Sequence, residues 1–360
     1  MNTKISKLGF SSIFYFLTQV MFLKVGTTQI LNSSLHGCIL SIILGCIFSL
    51  IILFFIFKIF NYEKDLSIFK KIEKLYGKTL GNTINLFLVI IFTLFFIYLL
   101  YSVNSYVQNK YLDKTPSYII LILFLIPTIW CAIANIKVIS KTALPLFFIS
   151  VFMVIFAILN LFIKIDIDNF KPFFSTPFLC ILKNALIFTS YFVTPIFLLL
   201  TTPKNTIYDS KNVNKDITKF FILSEINYLC IFIFIIGIFG IDLAKIFSYP
   251  EYTLMKKINY FDFIQHVENI ATIQFLYCFF ISSVMCLNFI KEYLKYLNKY
   301  KKIPFLIIIG ICLFISLNLF NNTTISYNFV KNYYIYIYSI PLFILIIISN
   351  ILIKIKKSVL

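Results

Sequence analysis

The chain has 360 residues, 60% of them hydrophobic and only 13% charged, with a mean hydropathy of +0.94 and a formal net charge of +18. A soluble domain of this length fills its core with far less apolar surface, so the composition excludes one and leaves a membrane protein. The charge comes from lysines that border apolar runs, without arginine and without a basic face carrying base-stacking aromatics; this excludes nucleic acid and points to membrane orientation and anionic lipid.

Apolar runs of about 18 residues or more recur along the chain, each able to cross ~30 Å of hydrocarbon as a helix. Strands of a barrel would be short and alternating, and these runs are neither. The first run, 8–31, follows Lys4 and Lys7; it is too long for a signal peptide and lacks a small-x-small cleavage site, so it is predicted to be a retained span. The others fall at 37–60, 83–107, 117–136, 143–163, 177–200, 219–240, 265–289, 304–321 and 333–353, giving ten predicted helices in a single all-α membrane domain. Between the second and third, Ile68, Phe69, Ile72, Leu75 and Tyr76 stand at helical spacing with Gly77 as a stop, which predicts a short surface helix. Between the seventh and eighth, Leu254, Met255, Ile258 and Phe261 share one face of an interfacial or capping helix, and Asp262 reads as an N-cap for the eighth span. With the N-terminus inside, 21 lysines fall on the cytoplasmic side and eight outside, so both termini are expected to be cytoplasmic.

Ten spans invite a five-plus-five division in which the first span corresponds to the sixth. Transporters built from inverted repeats place their site near the midplane, where the first helix of each half is broken. Thr18 and Gln19 fall ~15–17 Å along the first span, and Thr189, Ser190 and Tyr191 fall ~18–21 Å along the sixth, entering from the other face. Pro195 removes a backbone donor one turn later. Together with Met21, Phe22 and Thr194, these residues make up the expected ligand-binding set. Lys24, near the outer leaflet, either snorkels to the interface or serves a coupling or gating role. Glu225, ~9 Å into the seventh span, is a further coupling candidate. His266 and Glu268, which open the eighth span, are further coupling or gating candidates; residues two apart do not face each other on a helix, so they are not an obvious pair.

Eight cysteines without a CxxC, and only two histidines, offer no metal set. No nucleophile-and-base arrangement, phosphate loop or cofactor motif occurs, so an enzyme is not expected.

The run SYPEYTLMKKINYFDFIQHVENI (248–270) resembles the B-subunit family of spore germinant receptors (GerAB type), within the amino acid–polyamine–organocation transporter superfamily. Tyr249, Pro250, Phe263 and Glu268 stand at the family's positions, with His266 where Arg is usual. IEKLYGKTLG (72–81), ANIKVISKTALP (134–145) and NFKPFF (169–174) resemble further family stretches in the same order. The chain departs from the family at the site. Val20 and Met21 stand where a Gly follows Gln19, and YFVTPIF lacks the family's Gly and acidic residue. The resemblance implies a leucine-transporter-type fold in the spore inner membrane, working with A-type and C-type receptor subunits. It also implies a small amino-acid-like nutrient held between broken helices 1 and 6. A free-standing amino acid permease is the alternative; a lipid-linked glycan flippase would need charged central helices or a large loop, which the chain lacks.

Overall fold

Serine 6 opens the first segment: its hydroxyl accepts from the Gly9 amide at 3.1 Å and caps α1 (Lys7–Gln19). The computed structural model to which α1 belongs describes residues 4–172, 176–258, 266–319, 329 and 331–358. The helix does not continue through the first span. After Gln19 comes a turn, then a π-helical stretch, Phe22–Gly26, where the Gly26 amide donates to the Met21 carbonyl at 3.0 Å. α2 (Thr27–Ser34) resumes the path. Such π turns sit where a helix yields its regular bonding to another purpose.

The chain continues through α3 (Cys38–Asn61), α4 (Ile68–Tyr76), α5 (Lys78–Lys110), α6 (Ser117–Ile133) and α7 (Ile136–Leu161). α8 (Phe178–Val193) tightens into a 3₁₀ stretch, Thr194–Thr201, with Pro195 in its first turn. Then follow α9 (Val213–Ala244), bent at Gly240, α10 (Pro250–Met255), α11 (Glu268–Tyr296), α12 (Lys302–Leu319) and α13 (Ile340–Ser358). Among the described residues, seven helical stretches are long and apolar enough to cross a membrane; α6 and α12 are shorter apolar helices, and the first segment is divided.

Several boundaries differ from the expected ones. α5 and α7 begin earlier, at Lys78 and Ile136, and α11 runs on to Tyr296. In each case lysines that read as connection ride on the helix and extend it beyond its apolar run. The predicted Asp262 cap, with Phe261, Phe263 and Gln265, lies outside the described residues, as do Phe173 and Phe174; α11 begins at Glu268, with Val267 at its N-cap.

The short helix α4 forms as its periodicity predicts. Ile68, Phe69, Ile72 and Leu75 are buried, and Gly77, at φ 85°, stops the helix in a conformation that costs glycine little. Lys71 sits on the same helix, 1% exposed, and donates to the Ile59 and Phe60 carbonyls at 3.1 and 3.0 Å, satisfying the end of α3. Burial pushes its ammonium down to about 7.

α1 lies at the centre, packed against α7, α9 and α11, while α3 runs along α8 and α11 along α5. The end of the molecule near the N-terminus is tied across. Ile5 pairs with the backbone around Ile207, and Lys7 bridges Asp209 and Asp216 at 3.1 and 3.4 Å. Lys204 donates to Asn61 at 2.5 Å, and the buried Lys291 donates to the Ala132 and Ala134 carbonyls, both at 2.6 Å, at the end of α6.

Candidate functional site

The break in the first segment leaves polar groups in the interior that must find partners outside their own helix. The Gln19 main-chain carbonyl accepts from the Tyr228 hydroxyl of α9 at 2.6 Å. Its side-chain Oε1 accepts from Gln274 Nε2 of α11 at 3.0 Å. Asn227 of α9 donates to the Tyr15 hydroxyl at 3.4 Å. Three amides from three elements therefore converge. Each retains an unfilled position: Gln19 Nε2, Gln274 Oε1 and Asn227 Oδ1 are buried without a hydrogen-bond partner. An unsatisfied buried polar group costs about 1–3 kcal/mol, so such a cluster signals something still to be bound.

These three residues border a cavity of about 70 Å³. One water needs about 10–15 Å³ on a comparable measure, so the space admits a small molecule. Its apolar wall includes Met153, Val154 and Ala157 of α7 and Ile231 and Phe234 of α9. Its lining also includes Tyr249 at the start of α10, Tyr106 of α5 and Phe275 of α11. Tyr106 stacks on Phe275 at 3.9 Å and meets Tyr249 edge-on at 5.0 Å. Glu251 of α10 also lines the space and accepts a hydrogen bond from the Thr27 hydroxyl at the start of α2. Burial pushes its carboxyl up to about 7.

Of the expected ligand-binding set, Gln19 lines this cavity. The space is walled by the first segment, α5, α7, α9, α10 and α11 rather than by α8. Thr18 donates to the Tyr15 carbonyl and to Ser224 of α9, each at 2.9 Å. Met21 and Phe22 are buried in the core, Phe22 against Phe188, Tyr191 and Tyr228 at 4.9, 6.0 and 4.4 Å between ring centres. Thr189 donates to the Ala185 and Gly45 carbonyls at 2.8 and 3.1 Å, binding α8 to α3. Ser190 is buried, and its carbonyl accepts from Thr194 at 2.7 Å; Thr194 also meets Ser339 at 3.2 Å. The Tyr191 hydroxyl donates to Gln29 of α2. Thr189 and Tyr191 of α8 thus bond helix to helix.

Glu225 accepts from the Ser49 hydroxyl of α3, away from the cavity. Lys24 has its backbone in the π-helical stretch; its side chain lies outside the described residues. His266 and Glu268 do meet, contrary to expectation, with Nδ1 3.1 Å from Oε1. The helix-spacing argument fails because His266 precedes α11 and has φ 62°, which turns its side chain back over the helix start. The amides of Asn227 and Gln274 escaped the sequence reading, although each is a lone amide in an apolar run, the signal that drew attention to Gln19.

The broken first segment, the helix that changes character at Pro195 and the cavity beside the break define a membrane transporter fold of the leucine-transporter type. Mhp1, a nucleobase-cation-symport-1 family transporter solved in a closed conformation with bromovinylhydantoin bound, shares it with a TM-score of 0.60 at 10% identity, over 91% of this chain and 75% of that one. No curated protein matches the chain by sequence. The model of the spore germination protein family (spore permease) matches residues 7–325, and the chain belongs to that family. It is a multi-pass, permease-like membrane protein.

Proposed function

We propose that the chain is the membrane subunit of a nutrient germinant receptor in the spore inner membrane, and that it senses a small amino-acid-like molecule held beside the helix break. The observation that carries this reading is the convergence of Gln19, Asn227 and Gln274, with unfilled hydrogen-bonding positions, on one cavity. Its described lining offers amides, hydroxyls and one carboxylate, a set suited to binding rather than to bond cleavage. An A-type and a C-type subunit read out the bound state, and the ligand acts by favouring one conformation of the helix break over another. In this reading both termini are cytoplasmic, supported by the 21-to-8 lysine asymmetry.

Gln19→Leu removes one converging amide while keeping similar bulk. It is expected to abolish the germination response to nutrient with the protein at normal abundance in the membrane. An unchanged concentration–response curve would overturn the assignment of the site. The permease alternative draws support from the transporter fold, and uptake decides between the two: Gln19-dependent accumulation of labelled amino acid in vesicles makes the chain a permease.

Topology is checked by thiol labelling in a background free of native cysteines. Asp113→Cys, in the connection between α5 and α6, is expected to react with an impermeant reagent in intact cells, and Asn298→Cys, after α11, to stay unlabelled. The reverse pattern inverts the orientation.

A further inference from the structure

Among the described residues lining the cavity, Glu251 alone has a carboxyl, ammonium or imidazole side chain. It has no ion-pair partner among the described residues; its carboxylate accepts from the Thr27 hydroxyl and from its own backbone amide. A half-buried carboxylate is costly to ionise unless a cation joins it there. Around it stand Tyr106, Tyr249 and Tyr252, whose rings carry negative π faces. Two of those rings already hold ammonium groups: Lys110 Nζ lies 5.2 Å from the centre of Tyr249 and 4.7 Å from that of Tyr252, and Lys256 Nζ lies 5.1 Å from that of Tyr252. The rest of the lining includes the apolar Met153, Val154 and Ala157 as well as the three amides.

We infer that the part of the cavity beside α10 is an ammonium site, in which Glu251 is the counter-ion of a primary amine whose short apolar body lies along α7 and α9. This rests on the cavity being the ligand site, and it adds which end of the ligand is recognised and by what. The carboxylate supplies charge, the tyrosine rings supply a polarisable wall, and the amides are left for a neutral or acceptor group at the other end. Because Glu251 is also bonded to Thr27, the ligand's ammonium is coupled directly to the first residue of α2, at the helix break itself.

The test uses the purified full chain in detergent, with 3-methylbutylamine, its uncharged counterpart 3-methylbutan-1-ol, and L-leucine as probes, read by the thermal unfolding midpoint. The amine is expected to raise the midpoint and the alcohol to leave it unchanged. Glu251→Gln should weaken amine binding by roughly tenfold to a hundredfold, the range for losing a hydrogen bond to a charged group. Glu251→Asp should retain part of the effect. Equal shifts with amine and alcohol, no shift with the amine, or an undiminished amine shift in Glu251→Gln would each overturn the inference. The wild-type comparison needs no variant, so it decides even where Glu251→Gln does not fold. A leucine shift that disappears in Gln19→Leu, without any preference for amine over alcohol, leaves the cavity as ligand site and removes the ammonium assignment. If no probe acts through Gln19, both fall.

Discussion

Phe22→Ala is expected to cost about 3–5 kcal/mol of stability, seen as a lower unfolding midpoint of the purified protein. The ring is fully buried where the first segment crosses α8, within 4.4–6.0 Å of Tyr228, Phe188, Tyr191 and Phe192 measured between ring centres. Lipid cannot fill the space it leaves, because protein closes it on every side, so the cavity cost remains although the surrounding solvent is hydrocarbon. Phe22→Leu should recover a good part of the loss. If Phe22→Ala unfolded at the wild-type temperature but lost its nutrient response, Phe22 would be a ligand contact and not a packing residue.

Gly45→Val attacks the same junction from the other side. A β-carbon at Gly45 would lie 2.6 Å from Phe188 Cδ1 and 2.9 Å from Phe188 Cβ, closer than carbon atoms approach. Phe188 has little room to swing, since it stacks on Phe192 at 5.4 Å and meets Phe22 at 4.9 Å. α3 and α8 must therefore separate, and the Thr189-to-Gly45 hydrogen bond goes with them. Overpacking of this kind costs about 1–3 kcal/mol or more. Gly310 of α12 is the control: nothing stands within 4 Å of its would-be β-carbon, and Gly310→Ala should stay within about 1 kcal/mol of wild type. Equal unfolding midpoints for the two variants would show that α3 and α8 do not approach this closely.

Much of this architecture was legible because a bilayer imposes simple rules. Spans must be long and apolar, and any polar interruption needs a reason. The break after Gln19, the change of helix type at Pro195 and the amphipathic α4 could all be read from residue type and spacing. The partners of Gln19 could not. Asn227 and Gln274 stand more than 200 residues away in sequence, and periodicity says nothing about which face of α9 or α11 turns toward α1. Matching depths drew attention to the polar residues of α8, but depth is only one coordinate, and rotation about the helix axis directs Thr189, Tyr191 and Thr194 to α3, α2 and Ser339. Glu251 was hidden differently: an acid just after a proline reads as ordinary first-turn chemistry of a helix. Only the tertiary placement of α10 brings it over the cavity.

The burial of the Phe178–Thr201 segment bears on how the protein is made. Within its most apolar stretch, 94% of the residues are buried inside the protein, against 22% for the segment that contains α7, and it is the least hydropathic of the seven long stretches. Lipid therefore touches little of it and offers little to hold it in place during biogenesis. The lipid-facing helices can settle in the bilayer on their own account, whereas this one is retained by the helices around it. A packing defect where α3 or Phe22 meets this segment should then appear first as escape of the segment from the membrane, and so as loss of the protein to proteolysis, before any loss of ligand recognition becomes measurable.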